Sequence, residues 1–404
     1  MKSTNSRARS IFPKPIFLSA AVRSPIGKFG GTLSKMSAPE LAGITLTQCI
    51  KRAQTAQADF VFMGQARQAG AGPNPARQAL IRAGLPESVP AITINQACAS
   101  GLTSVIAACE KISVGKAQSI FAGGVECMSA TPYLLTGARF GYRLGNTQAI
   151  DGMHQDGFFC PMSQMVMGET VEKYLAQELG ISRADQDAYA LTSQQKATEA
   201  WKSGFFKAET FPIESQGPGF PLATDEHMRS GTTLESLAKL PAVFGKGGSL
   251  TAGNSSGITD GAAFVHVSSQ KNAQSQAEIL DFEIVALDPR RMGLGPIAAT
   301  RALLSRQGIT PTDLAAVELN EAFAAQVLAC QRELQFIPET LNSKGGAIAI
   351  GHPIGASGAR ILVTLIHRLN ELAPNHSKST DCLGLATLCI SGGQGISVLI
   401  RALQ

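Results

Sequence analysis

Cys98 lies in the run Asn95-Gln96-Ala97-Cys98-Ala99-Ser100-Gly101. An apolar stretch, Ala91–Ile94, precedes it, and Leu102, Val105, Ile106, Cys109 and Ile112 follow at helical spacing. A strand-to-helix turn puts the sulfur near a helix N-terminus, whose partial positive charge favours thiolate. An unassisted thiol is only a few per cent ionised at neutral pH, so a nucleophilic cysteine needs such help. Position alone leaves a second reading open, a buried cysteine acting as a small apolar residue. His352 sits in a comparable turn, Gly351-His352-Pro353-Ile354-Gly355-Ala356-Ser357-Gly358. Its glycines suit close backbone approach, and a histidine beside a cysteine can act as the base of a nucleophilic site. Cys389 ends an apolar run just before Ser391-Gly392-Gly393, where packing is the simpler explanation. Asn320 follows the apolar residues 315–319 and serves either as a helix cap or as a donor into a site.

A repeated order of elements positions these turns. Residues 91–94 and 347–350 both read as buried strands, each followed by a small-residue turn and a helix. The shared Ala-Ser-Gly at 99–101 and 356–358 aligns the two copies. Beyond the helices, residues 119–121 lead into Ala122-Gly123-Gly124, and residues 385–390 lead into Ser391-Gly392-Gly393. In the second copy residues 396–400 return at once as a hairpin strand. In the first, the comparable strand, 262–267, is delayed by an insertion. The pattern predicts a duplicated α/β fold, two halves with apolar strands between helix layers. Residues 1–127 plus 259–280 make the first half, 128–258 an inserted loop domain, and 281–404 the second half. The insertion carries helical stretches over 168–179 and 183–202 and a Pro/Gly-rich segment over 211–221. Residues 270–276 read as the linker into the second half. Equivalent turns of pseudo-twofold halves meet at the common interface, so Cys98 and His352 are expected to face one another.

Composition removes several function classes. The chain has 404 residues, 44% hydrophobic and 16% charged, which excludes disorder for most of its length. A net charge of +5, with no basic run interleaved with aromatics, does not point to nucleic acid. The uncharged stretch 382–400 is broken by glycines and polar residues, so it reads as a buried strand pair, not a membrane span. Eight cysteines with no CxxC pair suggest reduced thiols and no metal site. The basic, serine-containing start lacks an apolar core, and a first strand near Ile16 leaves little room for a leader, so a cytoplasmic location is expected.

At these residues the sequence resembles the thiolase family over nearly its whole length. The similarity runs from Arg23-Ser24-Pro25-Ile26-Gly27-Lys28-Phe29-Gly30-Gly31 and Asn74-Pro75-Ala76-Arg77-Gln78-Ala79 through the Cys98 turn to Gly123-Gly124-Val125-Glu126-Cys127-Met128-Ser129. It continues through Thr251-Ala252-Gly253-Asn254-Ser255-Ser256-Gly257, Asn320-Glu321-Ala322-Phe323, the His352 turn and Cys389-Ile390-Ser391-Gly392-Gly393-Gln394-Gly395. The resemblance implies a five-layer αβαβα fold, assembly as a homodimer or homotetramer, and reversible acyl transfer between coenzyme A thioesters. On it, Cys98 is the nucleophile that carries the acyl group, His352 its base, and Cys389 the acid/base for the substrate α-proton. Asn320 holds a water for the enolate oxygen. Backbone N–H groups of Cys98 and Ser391 form an oxyanion hole. Arg229, Ser236, Phe244, Ala252, Ser256, Met167 and Phe323 contact acyl-CoA. Coenzyme A enters as substrate; no cofactor or metal is called for.

Two positions depart from the family pattern: Ser391 stands where a glycine is usual, and Val166 where acetoacetyl-specific members carry histidine. The second opens the question of chain length. Two rival functions share the implied fold. A ketoacyl-synthase-like condensing enzyme is disfavoured by the second reactive cysteine, Cys389. A silent acyl-CoA or lipid carrier is disfavoured by retention of Cys98, Asn320, His352 and Cys389 together.

Overall fold

A computed structural model describes residues 8–215, 217–375 and 382–403. The first half runs β1 (Ile16–Arg23), α1 (Ala38–Ala53), β2 (Phe60–Gly64), α2 (Pro75–Arg82), β3 (Ala91–Ile94), α3 (Ser100–Ser113) and β4 (Ser119–Cys127). An insertion holding α4 (Arg183–Lys202) follows, and β5 (Thr259–Ser268) completes the half. The second half runs β6 (Ser275–Ala286), α5 (Gly295–Gln307), β7 (Leu314–Leu319), α6 (Ala324–Leu334), α7 (Ile354–Leu372), β8 (Leu383–Ile390) and β9 (Gln394–Ala402).

Strand order shows the duplication directly. The first half is ordered β3-β2-β4-β5-β1 and the second β7-β8-β9-β6, joined edge to edge where β1 pairs with β6. In both halves the inner helical crossovers leave parallel pairs, β2–β3, β2–β4 and β7–β8, and the last two pairings are antiparallel. Strand β6 runs through the division expected at 280/281, so its first residues go with the second half. The delayed strand behaves as the repeat requires: β5 pairs with β4 across the whole insertion, Asp260 opposite Cys127.

Five layers result. Helices α3 and α7 lie in the centre and share one core with the inner faces of both sheets. Helices α1 and α2 cover the outer face of the first sheet, and α5 and α6 that of the second. Helix α7 is buried almost all round, as an apolar central helix must be. Its small residues permit close contact with α3: a Cβ on Gly358 would lie 2.7 Å from the Leu102 backbone nitrogen, and one on Gly101 2.9 Å from the Gly355 carbonyl oxygen. The repeated Ala-Ser-Gly therefore marks the place where the two halves touch.

Two expectations from the repeat need correcting. Residues 347–350 form a single helical turn, not a strand. Two buried side chains of neighbouring elements hold it: Ile348 N–H donates to Glu321 at 3.1 Å and Gly346 N–H to Ser193 Oγ at 3.1 Å. The counterpart of β3 lies earlier, where Leu341 bridges Val317 in parallel. Ala122-Gly123-Gly124 is also not the conformational equivalent of Ser391-Gly392-Gly393, with which the repeat aligns it. Both glycines sit inside β4, where Cβ atoms would meet the Ala263 and Gly355 carbonyl oxygens at 2.1 Å. Gly392 and Gly393, with φ of +85° and +82°, do form the expected hairpin turn.

Candidate active site

The nucleophile turn is built by β3 and α3. Asn95 caps it, accepting from Ala97 N–H at 3.0 Å and donating to the Ala66 carbonyl at 3.0 Å. Ala97 adopts a left-handed φ of +47°, a conformation uncommon for alanine, and so turns the chain sharply into Cys98. Gln96 donates to Gln394 at 2.9 Å, tying this turn to the hairpin that follows Cys389. The insertion returns through residues 251–257. It docks on the second half: Ser256 N–H donates to the Ala322 carbonyl at 3.0 Å, and Ala324 N–H to that of Asn254 at 2.9 Å. His352 N–H then donates to the Gly257 carbonyl at 3.1 Å. Three distant segments thus share one framework.

They enclose a cavity of about 620 Å³. Cys98, His352 and Cys389 all line it, together with Met167, Arg229, Phe244, Ala252, Ser256 and Phe323. Ser236 lies in an adjoining chamber of about 270 Å³, which shares His227, Arg229 and Ala252 with the main cavity. Val166 faces the cavity while its backbone pairs with Phe159. Asn320 and Ser391 are not among the lining residues. Asn320 is buried with its Nδ2 unpartnered, and its Oδ1 accepts from Arg360 at 3.2 Å. A free buried donor of that kind suits a held water.

The protonation states follow from burial. Burial pushes the Cys98 thiol up; the Ser391 backbone N–H bonding its sulfur and the Arg67 charge oppose that rise. Cys389 is held well above the ordinary thiol range, first by burial and then by the charge that Cys98 carries when ionised. Burial drives His352 down to about 3, with help from the Arg360 and Arg67 charges, so its imidazole is neutral at physiological pH. Ser357 Oγ fixes the tautomer. It lies 2.5 Å from His352 Nδ1 and donates its own proton to the Pro353 carbonyl at 2.9 Å. It must therefore accept from Nδ1–H, which leaves Nε2 with the lone pair. A neutral imidazole with Nε2 free is a proton acceptor.

Several site residues escaped the sequence reasoning. Ser357 and Gln96 were visible only as members of a turn. Phe158, Met292 and Ile354 add apolar surface to the cavity, and His154 and His227 also line it. Their positions depend on long-range packing that carries no local signature. Among the described residues no cluster of histidine, cysteine and carboxylate side chains is arranged to hold a metal. No helix among the described residues is long and apolar enough to cross a membrane.

Comparison with known proteins agrees over nearly the whole chain. Residues 16–271 match the family model "Thiolase, N-terminal domain" and residues 273–402 match "Thiolase, C-terminal domain". The acetyl-CoA acetyltransferase of Cupriavidus necator is 45% identical over 396 residues, 96% of this chain and 99% of that protein. A probable acetyl-CoA acyltransferase of Staphylococcus aureus is 42% identical, covering 95% and 98%. The crystal structure of human mitochondrial 3-ketoacyl-CoA thiolase superposes with a TM-score of 0.90 at 37% identity, covering 96% and 99%. That of the Bacillus anthracis acetyl-CoA acetyltransferase gives 0.91 at 37% identity, covering 98% and 100%.

Proposed function

The chain belongs to the thiolase family, an acyltransferase family, and from that premise we propose that it cleaves 3-ketoacyl-CoA with coenzyme A and, in reverse, condenses acetyl-CoA. The observation that carries the reading is the convergence of Cys98, His352 and Cys389 on one cavity. His352 Nε2 takes the Cys98 proton, and the sulfur attacks the thioester carbonyl. Backbone N–H groups at Cys98 and Ser391 receive the developing oxyanion, a contribution of roughly 3–4 kcal/mol per donor. The departing coenzyme A thiolate takes the proton back from His352, and an acyl-cysteine remains. In condensation Cys389 takes the α-proton of a second acetyl-CoA, whose enolate oxygen is met by His352 and a water on Asn320 Nδ2. The enolate carbon attacks the acyl-cysteine and expels the Cys98 thiolate. Thiolysis runs these steps backwards, with Cys389 returning the proton. Coenzyme A is a substrate throughout, and the scheme calls for no metal or redox cofactor.

Arg229, Ser236, Phe244, Ala252, Ser256, Met167 and Phe323 form the proposed CoA contacts. Ketoacyl-synthase and carrier functions are disfavoured by the same convergence. A homodimer or homotetramer in the cytoplasm, acting in fatty acid metabolism, completes the reading. Exposed Ile92 on edge strand β3 and exposed Phe140 and Leu144 in the insertion favour self-association. Intact-mass spectrometry after brief exposure to acetyl-CoA tests the division of labour. Wild type and Cys389→Ala should each gain one acetyl group and Cys98→Ala none, while Cys389→Ala loses condensation. Normal condensation by Cys389→Ala, or undiminished acetylation of Cys98→Ala, refutes the assignment.

A further inference from the structure

Arg67 stands in a loop, Gln65-Ala66-Arg67, that follows β2 and underlies the site. The Ala66 carbonyl accepts from Asn95 in the nucleophile turn. On the other side Gly355, three residues past His352, packs so closely that a Cβ there would lie 2.8 Å from Gln65 Cα. The Glu126 carboxylate clamps this loop to the turn after His352, accepting from Ala66 N–H at 3.0 Å, Arg67 N–H at 3.1 Å and Gly355 N–H at 2.9 Å. The Arg67 side chain is only 7% exposed. Its Nε and Nη2 are buried without hydrogen-bond partners. The guanidinium lies flat against Gly157, where a Cβ would sit 2.0 Å from Nη2, and 5.2 Å from the centre of the Phe158 ring. Phe158 and Cys98 line the same cavity.

A buried guanidinium with two unused donors is costly unless its charge is used. We propose that Arg67 is a positioning residue for the acyl-transfer reaction, a fixed cation beneath the nucleophile turn that favours ionised Cys98 over the thiol. The inference rests on Cys98 being the nucleophile of the proposed function. The charged and titratable groups around the pair are few. Arg67 and Glu126 act on Cys98 with opposite sign, and Cys389 faces it from β8. Asp156 and Glu126 face Arg67. Arg67 and Arg360 both disfavour the imidazolium of His352. One cation thus favours thiolate on Cys98 and at the same time disfavours imidazolium on His352. Its effect is on the ionised fraction of Cys98, and transfer of the proton onto His352 gains only the difference between the two.

Iodoacetamide alkylation of Cys98, followed by peptide mapping across pH 5–10, reads this without requiring turnover. Arg67→Met and Arg67→Gln remove the charge, and Gln keeps hydrogen-bonding capacity; Arg67→Lys keeps the charge. The expected result is an alkylation midpoint raised by about one pH unit or more in both neutral variants, with Arg67→Lys staying closer to wild type. A neutral variant that folds and overlays the wild-type profile overturns the inference. So does a Lys variant displaced as far as Met, since charge is then not the agent. Failure of the thiolase reading is separate: wild type itself would not be acetylated by acetyl-CoA, whatever the alkylation profiles show.

Discussion

Replacing Ser357 by alanine removes a single oxygen from the helix that follows His352, and the structure gives the size of the consequence. Ser357 is fully buried and does not line the cavity that Cys98 and His352 share, so its loss leaves the cavity lining unchanged. With its own proton on the Pro353 carbonyl, its Oγ accepts from His352 Nδ1–H. Without it, the tautomer that leaves Nε2 free carries a buried donor with no partner, a cost of about 1–3 kcal/mol. The imidazole escapes that cost by moving its proton to Nε2, where it no longer accepts from Cys98. At one tenfold factor per ~1.4 kcal/mol, the competent population falls roughly 5- to 150-fold. Rapid-quench measurement of Cys98 acetylation by acetyl-CoA is the direct assay. The acetylation rate and kcat should fall together by that factor while KM stays close to wild type. An acetylation rate within twofold of wild type would refute the tautomer argument. A rise in KM at constant kcat would do the same, since it would assign Ser357 to binding.

Gly358→Ala forces a methyl group to within 2.7 Å of the Leu102 backbone between the central helices. It should cost about 1–3 kcal/mol, read as a lower urea midpoint; an unchanged midpoint would mean that the helices separate freely. Acid should weaken the fold through buried His266, whose ring nitrogens meet Ser19 at 3.0 Å and Ser119 at 2.8 Å. Burial lowers it from 6.5 to about 4, so the unfolded chain binds the extra proton. The associated stability, up to about 3 kcal/mol, is present above pH 6.5 and is lost as pH falls toward 4. His266→Gln should flatten the stability slope over that window, and an identical slope would remove His266 from the account. Val166→Ala and Val166→Ile, which reshape the apolar wall, should redistribute thiolysis rates among four-, six- and eight-carbon 3-ketoacyl-CoA substrates. Each methylene newly buried is worth about 0.8 kcal/mol, and superimposable chain-length profiles would place Val166 outside the acyl path.

The sequence revealed the site where chemistry demanded particular residue types in particular turns. Cys98, His352 and Cys389 each follow or end an apolar run beside small residues, and all three reach the cavity. Arg67 was illegible for the opposite reason. In sequence it is one charge in a glycine-rich loop, the usual sign of a solvated surface. Only the packing of Gly157, Phe158 and the Glu126 clamp buries it. Phe158 and Met292 were hidden similarly, since a cavity assembled from segments far apart in sequence leaves no local period.

The misplaced strand at 347–350 shows how a repeat can mislead while remaining true. Ala347-Ile348-Ala349-Ile350 is as apolar as Ala91-Ile92-Thr93-Ile94, and four residues are too few for periodicity to separate helix from strand. What differs is the neighbourhood. The Glu321 carboxylate meets the Ile348 N–H, and Tyr189 at 2.8 Å and Ser193 at 2.7 Å meet the same carboxylate from α4. The insertion thus holds this segment as a helical turn off the sheet. The edge of β7 is met by the backbone around Leu341, which bridges Val317, and beyond it by a side chain. Asn342, with φ of +43°, accepts from Leu319 N–H at 2.9 Å and donates to the Leu319 carbonyl at 2.8 Å, a pair of bonds that a strand backbone would otherwise make. Asn320 follows immediately after Leu319. The short bridge at Leu341, extended by the Asn342 side chain, therefore fixes the end of β7 at the point where Asn320 stands, while residues 343–351 are released to carry His352 across to the other half. Divergence of the two copies and construction of the site are, at this edge, the same structural event.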